Sequence, residues 1–261
     1  MDNTKSKKFV SWNLEENKQC EQKTDLIPPN PSNPSNPSNQ SKSPDHIDFF
    51  TPEFVNTFES NLTTEIKDPY IYVDTDALPK SICDDIIQKF EAEPYNHYDG
   101  VTGGGLNINT KKTKEINVTR CKGWKKYDEI LHKNLTSALT KYSINCTKKC
   151  LNLEIYNFMR TGGKFSDTGY QIQKYFKNDG HYVWHQDALV DHKNKNHRII
   201  TYLWYLNDVN EGGETFFYHC KVKPEKGKLI LFPACWNYNH CGNTPTSNNK
   251  YIITGWVYLN E

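Results

Sequence analysis

Residues 170–187 read YQIQKYFKNDGHYVWHQD and contain two runs rich in β-branched and aromatic residues, 170–176 and 181–187. A polar turn with a glycine separates the two runs, which is typical of neighbouring β-strands. In the second run, His185 and Asp187 are two residues apart, and this spacing on a strand places both side chains on the same face. The stretch therefore predicts two strands and a pair of polar groups that could act together.

The same pattern of short runs and polar turns continues through the rest of the chain after residue 150. Eight strands at this spacing favour an all-β sandwich or barrel. A strand at 70–74, a helix that begins at Pro79 and a second helix over about 123–142 precede them, with apolar residues at helical spacing. The predicted fold class is thus mainly β with flanking helices (α+β). The six further strands are predicted at 153–159, 198–206, 214–219, 228–232, 236–240 and 250–259.

Composition divides the chain into a tail and a domain. Residues 1–45 are rich in Asn, Ser and Pro, and 30–38 read NPSNPSNPS. A segment with so few apolar residues cannot bury a core, so we expect disorder there. The predicted domain covers 46–261, with helices over about 79–142 and a β core over about 150–260.

Charge, cysteines and hydropathy exclude several classes of protein. The net charge of +1 selects neither nucleic acid nor an anionic membrane as a partner. The eight cysteines are irregularly spaced and are interpreted as free thiols, because the CxxxC of Cys146 and Cys150 has no second pair to complete a zinc site. No apolar run resembles a signal peptide or a membrane span. The sequence therefore predicts a cytoplasmic protein that does not enter a membrane, and it leaves the oligomeric state open.

A third ligand would turn the His-x-Asp pair into a metal site. His240 lies on a later predicted strand, 55 residues after His185. His219 ends another predicted strand and is the main rival, whereas His181 lies too far up its own strand. Two histidines and one carboxylate on one face of an octahedral metal leave the opposite face open, which suits non-haem Fe(II).

Four sequence blocks resemble the prolyl 4-hydroxylase-like branch of the 2-oxoglutarate/Fe(II)-dependent dioxygenases. The resemblance covers most of residues 70–259 and begins loosely with YIYVDTDALPKSICDDIIQKFE at 70–91. It implies a double-stranded β-helix, a jelly-roll of two facing sheets. The four blocks are YFKNDGHYVWHQD (175–187), RIITYLWYLNDVNEGGETFF (198–217), KPEKGKLILFP (223–233) and HCGNTPTSNNKYIITGW (240–256).

The resemblance also implies a role for individual residues. The chain departs from the family pattern by one extra residue between Tyr175 and the His-x-Asp pair. Lys250 shares strand parity with Ile252, Thr254 and Trp256, so we expect it to face inward, where a lysine requires an anion. Fe(II), 2-oxoglutarate and O2 are the implied cofactors, and the resemblance also admits ascorbate. The implied roles are metal ligand for His185, Asp187 and His240, binding of 2-oxoglutarate for Lys250, Tyr175 and Thr215, and contact with the primary substrate for Tyr182.

The predicted function is 2-oxoglutarate-dependent hydroxylation of prolyl residues in a peptide or protein, with the glycine-rich residues 99–109 as a lid. The same chemistry on another side chain or a small molecule remains open. A jelly-roll that binds ligands without catalysing a reaction also remains open. Residues 111–150 carry a local excess of eight positive charges. A solvated helix face is the preferred explanation, with nucleic-acid demethylation a distant alternative.

Overall fold

The computed structural model describes residues 62–149, 164–191 and 196–260. The predicted tail at 1–45, the predicted start of the domain at 46 and the predicted strand at 153–159 lie outside these residues. Within them, two α-helices precede most of the strands: α1 is Lys80–Ala92 and α2 is Lys125–Lys149. The strands are β1 Tyr72–Asp74, β2 Tyr98–Asp99, β3 Lys111–Lys112, β4 Lys114–Asn117, β5 Lys164–Asp167, β6 Gln171–Tyr175, β7 His181–His185, β8 Val190–Asp191, β9 Asn196–Tyr205, β10 Thr215–Phe217, β11 Lys221–Val222, β12 Leu229–Pro233, β13 His240–Gly242 and β14 Lys250–Asn260.

These strands form two antiparallel sheets. The larger sheet has the order β1-β12-β9-β14-β6-β4-β2, with β5 added to β14 and β8 added to β9. The smaller sheet has the order β11-β10-β13-β7-β3. The order is not sequential in either sheet, so strands that are distant along the chain lie side by side. The predicted mainly β, jelly-roll fold with two flanking helices is confirmed.

The central strands of the larger sheet are buried on both faces. On β9, Tyr202 and Trp204 pack in the cluster that contains both helices, while Leu203 and Tyr205 pack in a second cluster that contains Phe217 of the smaller sheet. Strands covered on both sides consist of nearly continuous apolar residues instead of an alternating pattern. This explains the nearly continuous apolar run IITYLWYL. The larger sheet separates a layer that contains the helices from a layer between the two sheets.

Some predicted boundaries are wrong. The strand predicted at 236–240 is instead a turn that leads into β13. Tyr238 N–H donates to the carbonyl of Cys235 at 3.0 Å, and Asn239 Nδ2 donates to the carbonyl of Trp236 at 3.1 Å. Trp236 is 77% exposed, so the aromatic residues there do not mark a buried strand. Helix α2 also continues seven residues past the predicted end at 142.

The prediction that the basic residues of 111–150 form a solvated helix face is only partly correct. The lysines of α2 are exposed, but Lys111 belongs to β3 and is only 4% exposed. The sequence pattern does not predict strands β3 and β4, because they are short and mostly polar and show no alternation of apolar residues. Their pairing with β7 and β6 fixes them instead.

Cysteines and helix hydropathy can be examined in the described residues. Cys83, Cys220 and Cys235 carry free thiols. Cys150 lies outside the described residues, so the CxxxC spacing is not tested. In the described part of the chain, no helix combines the length and the apolar character needed to cross a bilayer.

Candidate metal and co-substrate site

His185, Asp187 and His240 come together in the inter-sheet layer. His185 ends β7 and His240 begins β13, and the two are direct partners in the antiparallel register of the smaller sheet. One ligand atom from each of the three residues lies within 4.8 Å of the other two. His240 Nε2 lies 3.5 Å from Asp187 Oδ2, and His185 Nε2 lies 3.9 Å from Asp187 Oδ1. Asp187 follows the end of β7 instead of lying on it, so the chain turns the carboxylate toward the two rings.

The hydrogen bonds of the two histidines fix which ring nitrogen faces the cluster. His185 Nδ1 lies 2.8 Å from the carbonyl of Val183, and His240 Nδ1 lies 3.0 Å from the carbonyl of Tyr238. A carbonyl oxygen can only accept, so each Nδ1 carries the proton. Each Nε2 therefore directs its lone pair toward Asp187. This is the arrangement in which backbone groups orient ligand histidines around a metal.

Electrostatics favour a neutral His185 and an ionised Asp187. Burial lowers the pKa of His185, and the neighbouring His240 lowers it further. Burial opposes ionisation of Asp187, yet His240, His185 and a hydrogen bond from Thr201 together hold the pKa of its carboxyl below the ordinary value. Thr201 Oγ1 donates to Asp187 Oδ2 at 2.8 Å. Neutral imidazole and carboxylate are the forms that bind a divalent metal, so the three residues fit Fe(II).

The rival histidines lie elsewhere. His219 pairs with Asp68, with Nε2 to Oδ2 at 3.3 Å, and its side chain is 49% exposed. His181 Nδ1 and Nε2 lie near the carbonyls of Asp179 and Asn109. Among the described residues, the group of His185, Asp187 and His240 is the one arrangement of three such side chains close enough to hold a metal ion.

Lys250 lines the same cavity, which has a volume of about 390 Å³. It begins β14 and is 1% exposed, as its strand parity predicted. Burial lowers its pKa to about 7. Its Nζ donates to the carbonyl of Gly213 at 2.9 Å and lies 4.0 Å from the centre of the Tyr175 ring. A buried ammonium without a carboxylate partner would be stabilised by an anionic ligand.

Tyr175 and Thr215 lie beside this end of the cavity. Tyr175 pairs with Lys250 across β6 and β14, and its hydroxyl donates to Gln173 Oε1 at 3.1 Å. Thr215 Oγ1 accepts a 2.7 Å hydrogen bond from Tyr205. Both line the cavity. In the turn between β6 and β7, Asn178 adopts a positive φ of 62°.

Tyr182 lies on the metal side of the cavity. Its ring stacks on the imidazole of His185, with centroids 3.5 Å apart and planes inclined by 15°. Burial raises the pKa of its phenol to about 12. Tyr182 is therefore a neutral side chain in direct contact with the ring of His185.

The cavity also contains residues to which the sequence assigned no role in the site. Gln173 lies two residues before Tyr175 on the same strand face, a signal that was present in the sequence. Arg198 stacks on Trp256, with the guanidinium carbon 3.6 Å from the ring centre. Lys111 comes from β3, for which the sequence carried no recognisable signal. Gln173, Arg198 and Lys111 all line the cavity, as does Trp256.

Comparisons with known proteins find similarity in the segment of the chain that contains the candidate site. Residues 170–258 match the family model described as the 2OG-Fe(II) oxygenase superfamily. This segment contains β6 to β13 and nearly all of β14, and with them the seven residues of the predicted site. No curated protein sequence matches the chain.

Two solved structures share the fold. A viral collagen prolyl hydroxylase from Paramecium Bursaria Chlorella virus-1, in complex with 2OG, is 19% identical, with 73% of this chain and 96% of the viral chain covered and a TM-score of 0.51. A prolyl hydroxylase from Trichoplax adhaerens, in complex with a hypoxia inducible factor peptide fragment, is 20% identical, with 80% and 94% covered and a TM-score of 0.51. At these identities the likeness establishes the fold alone. The family match covers about a third of the chain, namely the segment that contains the candidate site, and it supports a dioxygenase that uses Fe(II), 2-oxoglutarate and O2.

Proposed function

We propose that the protein hydroxylates prolyl residues of a peptide or protein, with Fe(II) held by His185, Asp187 and His240. Lys250 and Tyr175 bind the far carboxylate of 2-oxoglutarate. The observation that carries these assignments is that a metal-binding group and a buried lysine line one cavity.

Charge supports the pairing of these two features. Fe(II) contributes +2, Asp187 −1, 2-oxoglutarate −2 and Lys250 +1, which sums to zero. A buried site requires such a balance, because an unpaired charge in a low-dielectric interior is costly. Lys250 alone is poorly solvated where it lies, and the incoming carboxylate stabilises its protonated form.

The side chains divide the work of the reaction. The Nδ1–H bonds to Val183 and Tyr238 hold the two imidazoles in position, and the hydrogen bond from Thr201 does the same for the carboxylate of Asp187. Thr215 lines the co-substrate end. When bound, Fe(II) with 2-oxoglutarate and O2 supplies the oxidation, in which 2-oxoglutarate is converted to succinate and CO2 and a substrate C–H is hydroxylated.

The open side of the cavity supports a peptide substrate. Val101, Thr102 and Gly103 of the glycine-rich segment line it, and Leu189 and Trp256 contribute apolar surface. Val101 is 51% exposed and Leu189 is 44% exposed. An exposed apolar rim around a polar centre suits a neutral, apolar ring carried on an extended chain, and proline provides such a ring. We propose that residues 99–109 close over the bound peptide and that Tyr182 contacts the reacting residue.

The test is succinate formation with proline-rich peptides, with the peptide examined by mass spectrometry for one added oxygen. We expect peptide-dependent succinate and a matching mass increase in wild type, and neither in His185→Ala. His219→Ala is the matched control, since His219 was the rival ligand and lies outside the site; it should keep wild-type activity. Absence of peptide stimulation would exclude the prolyl substrate. Succinate formed without peptide would then indicate that the enzyme is an oxygenase that acts on another substrate.

A chain that binds ligands without chemistry would form no succinate in any of these assays. A requirement for ascorbate stays a prediction, and the same assay with and without ascorbate tests it.

The domain start at residue 46 also stays a proposal. Removal of residues 1–45 should leave succinate formation unchanged if that boundary holds.

A further inference from the structure

A buried ion pair lies beside the cavity, and its lysine lines the cavity wall. Lys111 Nζ is 2.6 Å from Glu115 Oε1, and the two side chains are 5% and 0% exposed. Burial removes the hydration of both charges, and the mutual attraction of such a pair often does little more than offset that cost. The pair is therefore a poor way to stabilise the fold, and its position beside the site calls for another explanation.

Glu115 is held on several sides. Its Oε1 also accepts a 2.7 Å hydrogen bond from Thr113, and its Oε2 accepts a 2.5 Å hydrogen bond from Gln171 Nε2. Gly100 packs so closely that a Cβ there would lie 2.8 Å from Glu115 Oε1. The carboxylate is thus fixed in one orientation, and it does not itself line the cavity.

Lys111 does line the cavity. Among the described residues, its ammonium has one hydrogen-bonding partner, Glu115, so two of its three N–H donors are available to a ligand. The Nζ lies 5.0 Å from the centre of the Tyr182 ring, which stacks on His185. The ammonium therefore lies next to Tyr182, the side chain proposed above to contact the reacting residue.

We propose that Glu115 is a positioning residue that acts through Lys111. It holds the ammonium so that the two remaining donors meet an acceptor oxygen of the substrate, which for a peptide is a backbone carbonyl. This proposal rests on the peptide substrate proposed above. Because Glu115 cancels the charge of Lys111, the pair offers donors to a neutral carbonyl without adding net charge to the cavity.

The experiment uses Glu115→Gln, Lys111→Met and the double variant, assayed with a proline-rich peptide. Loss of a charge-assisted hydrogen bond costs on the order of tenfold or more. We expect kcat/KM for the peptide to fall about tenfold in each single variant, while KM for 2-oxoglutarate stays within about twofold. The double variant should be no worse than Lys111→Met, because Glu115 acts through that lysine.

Lys112→Met is the matched control. Lys112 is the next residue on β3 and forms an ion pair of the same length, 2.6 Å, with Asp179 at the surface. It should retain wild-type kinetics. Additive losses in the double variant, or equal losses toward the peptide and toward 2-oxoglutarate, would show that Glu115 only stabilises the fold and would overturn the proposal.

A second measurement does not depend on the peptide. Pulsed acetylation followed by mass mapping should show Lys111 about tenfold more reactive in Glu115→Gln, because the amine is no longer held against the carboxylate. Lys112 serves as the internal reference. Unchanged reactivity of Lys111 would refute the coupling, whereas a wild-type enzyme without peptide stimulation would refute the proposed function alone.

Discussion

Replacement of Lys250 by methionine should raise the stability of the ligand-free protein while it abolishes 2-oxoglutarate binding. Burial lowers the pKa of Lys250 from 10.5 to about 7. Between these values the unfolded chain carries a proton on this lysine and the folded protein does not. Unfolding therefore takes up a proton, and stability rises with pH in this window.

The size of the effect follows from the same two pKa values. Each pKa unit corresponds to about 1.4 kcal/mol, so the lysine costs the folded state roughly 4 kcal/mol at pH 7. This cost declines by about 1.4 kcal/mol for each pH unit up to pH 10. Methionine has a similar length and no charge to desolvate. Loss of the 2.9 Å hydrogen bond leaves the buried carbonyl of Gly213 without this donor, which costs about 1–3 kcal/mol and offsets only part of the gain at pH 7.

The assay is urea unfolding followed by tryptophan fluorescence at pH 7, 8 and 9. We expect Lys250→Met to be more stable than wild type at pH 7 and the difference to shrink as pH rises. Lys228→Met is the matched control, because Lys228 is also buried but pairs with Glu225 at 2.7 Å. It should not be more stable than wild type at pH 7, because it loses this ion pair. A constant difference across the three pH values, or a Lys250→Met protein less stable at pH 7, would refute the reasoning.

Three further predictions concern the site. His240→Ala should abolish Fe(II) binding measured by calorimetry, since it removes one of three ligands; binding that persists would exclude this metal site. Thr201→Val should weaken Fe(II) binding by about tenfold, because it removes the 2.8 Å hydrogen bond that orients Asp187, and unchanged affinity would contradict that role. Tyr175→Phe should raise KM for 2-oxoglutarate about tenfold with less effect on Fe(II) affinity, because only the hydroxyl is lost. An equal effect on both would indicate that Tyr175 supports the fold instead.

The sequence by itself was enough for the residues that carry strong local patterns. Strand periodicity predicted that Lys250 faces inward with Ile252 and Thr254, and the structure confirms it. The apolar runs predicted most of the central strands because strands buried on both faces have a composition unlike turns. The family motifs predicted that His185, Asp187 and His240 act together although the sequence does not show their contacts.

Tertiary structure alone determined what depends on pairing between distant strands. The register of β7 against β13 makes His185 and His240 neighbours. A hydrogen bond from each Nδ1 to a backbone carbonyl leaves each Nε2 facing the site. Lys111 entered the site because β3 pairs with β7, which no periodicity in a polar segment could reveal. Local sequence encodes which face a side chain takes, whereas the partner across the sheet is set by the packing of the whole fold. The candidate metal-binding group was thus recognisable beforehand, but the buried Lys111–Glu115 pair beside it was not.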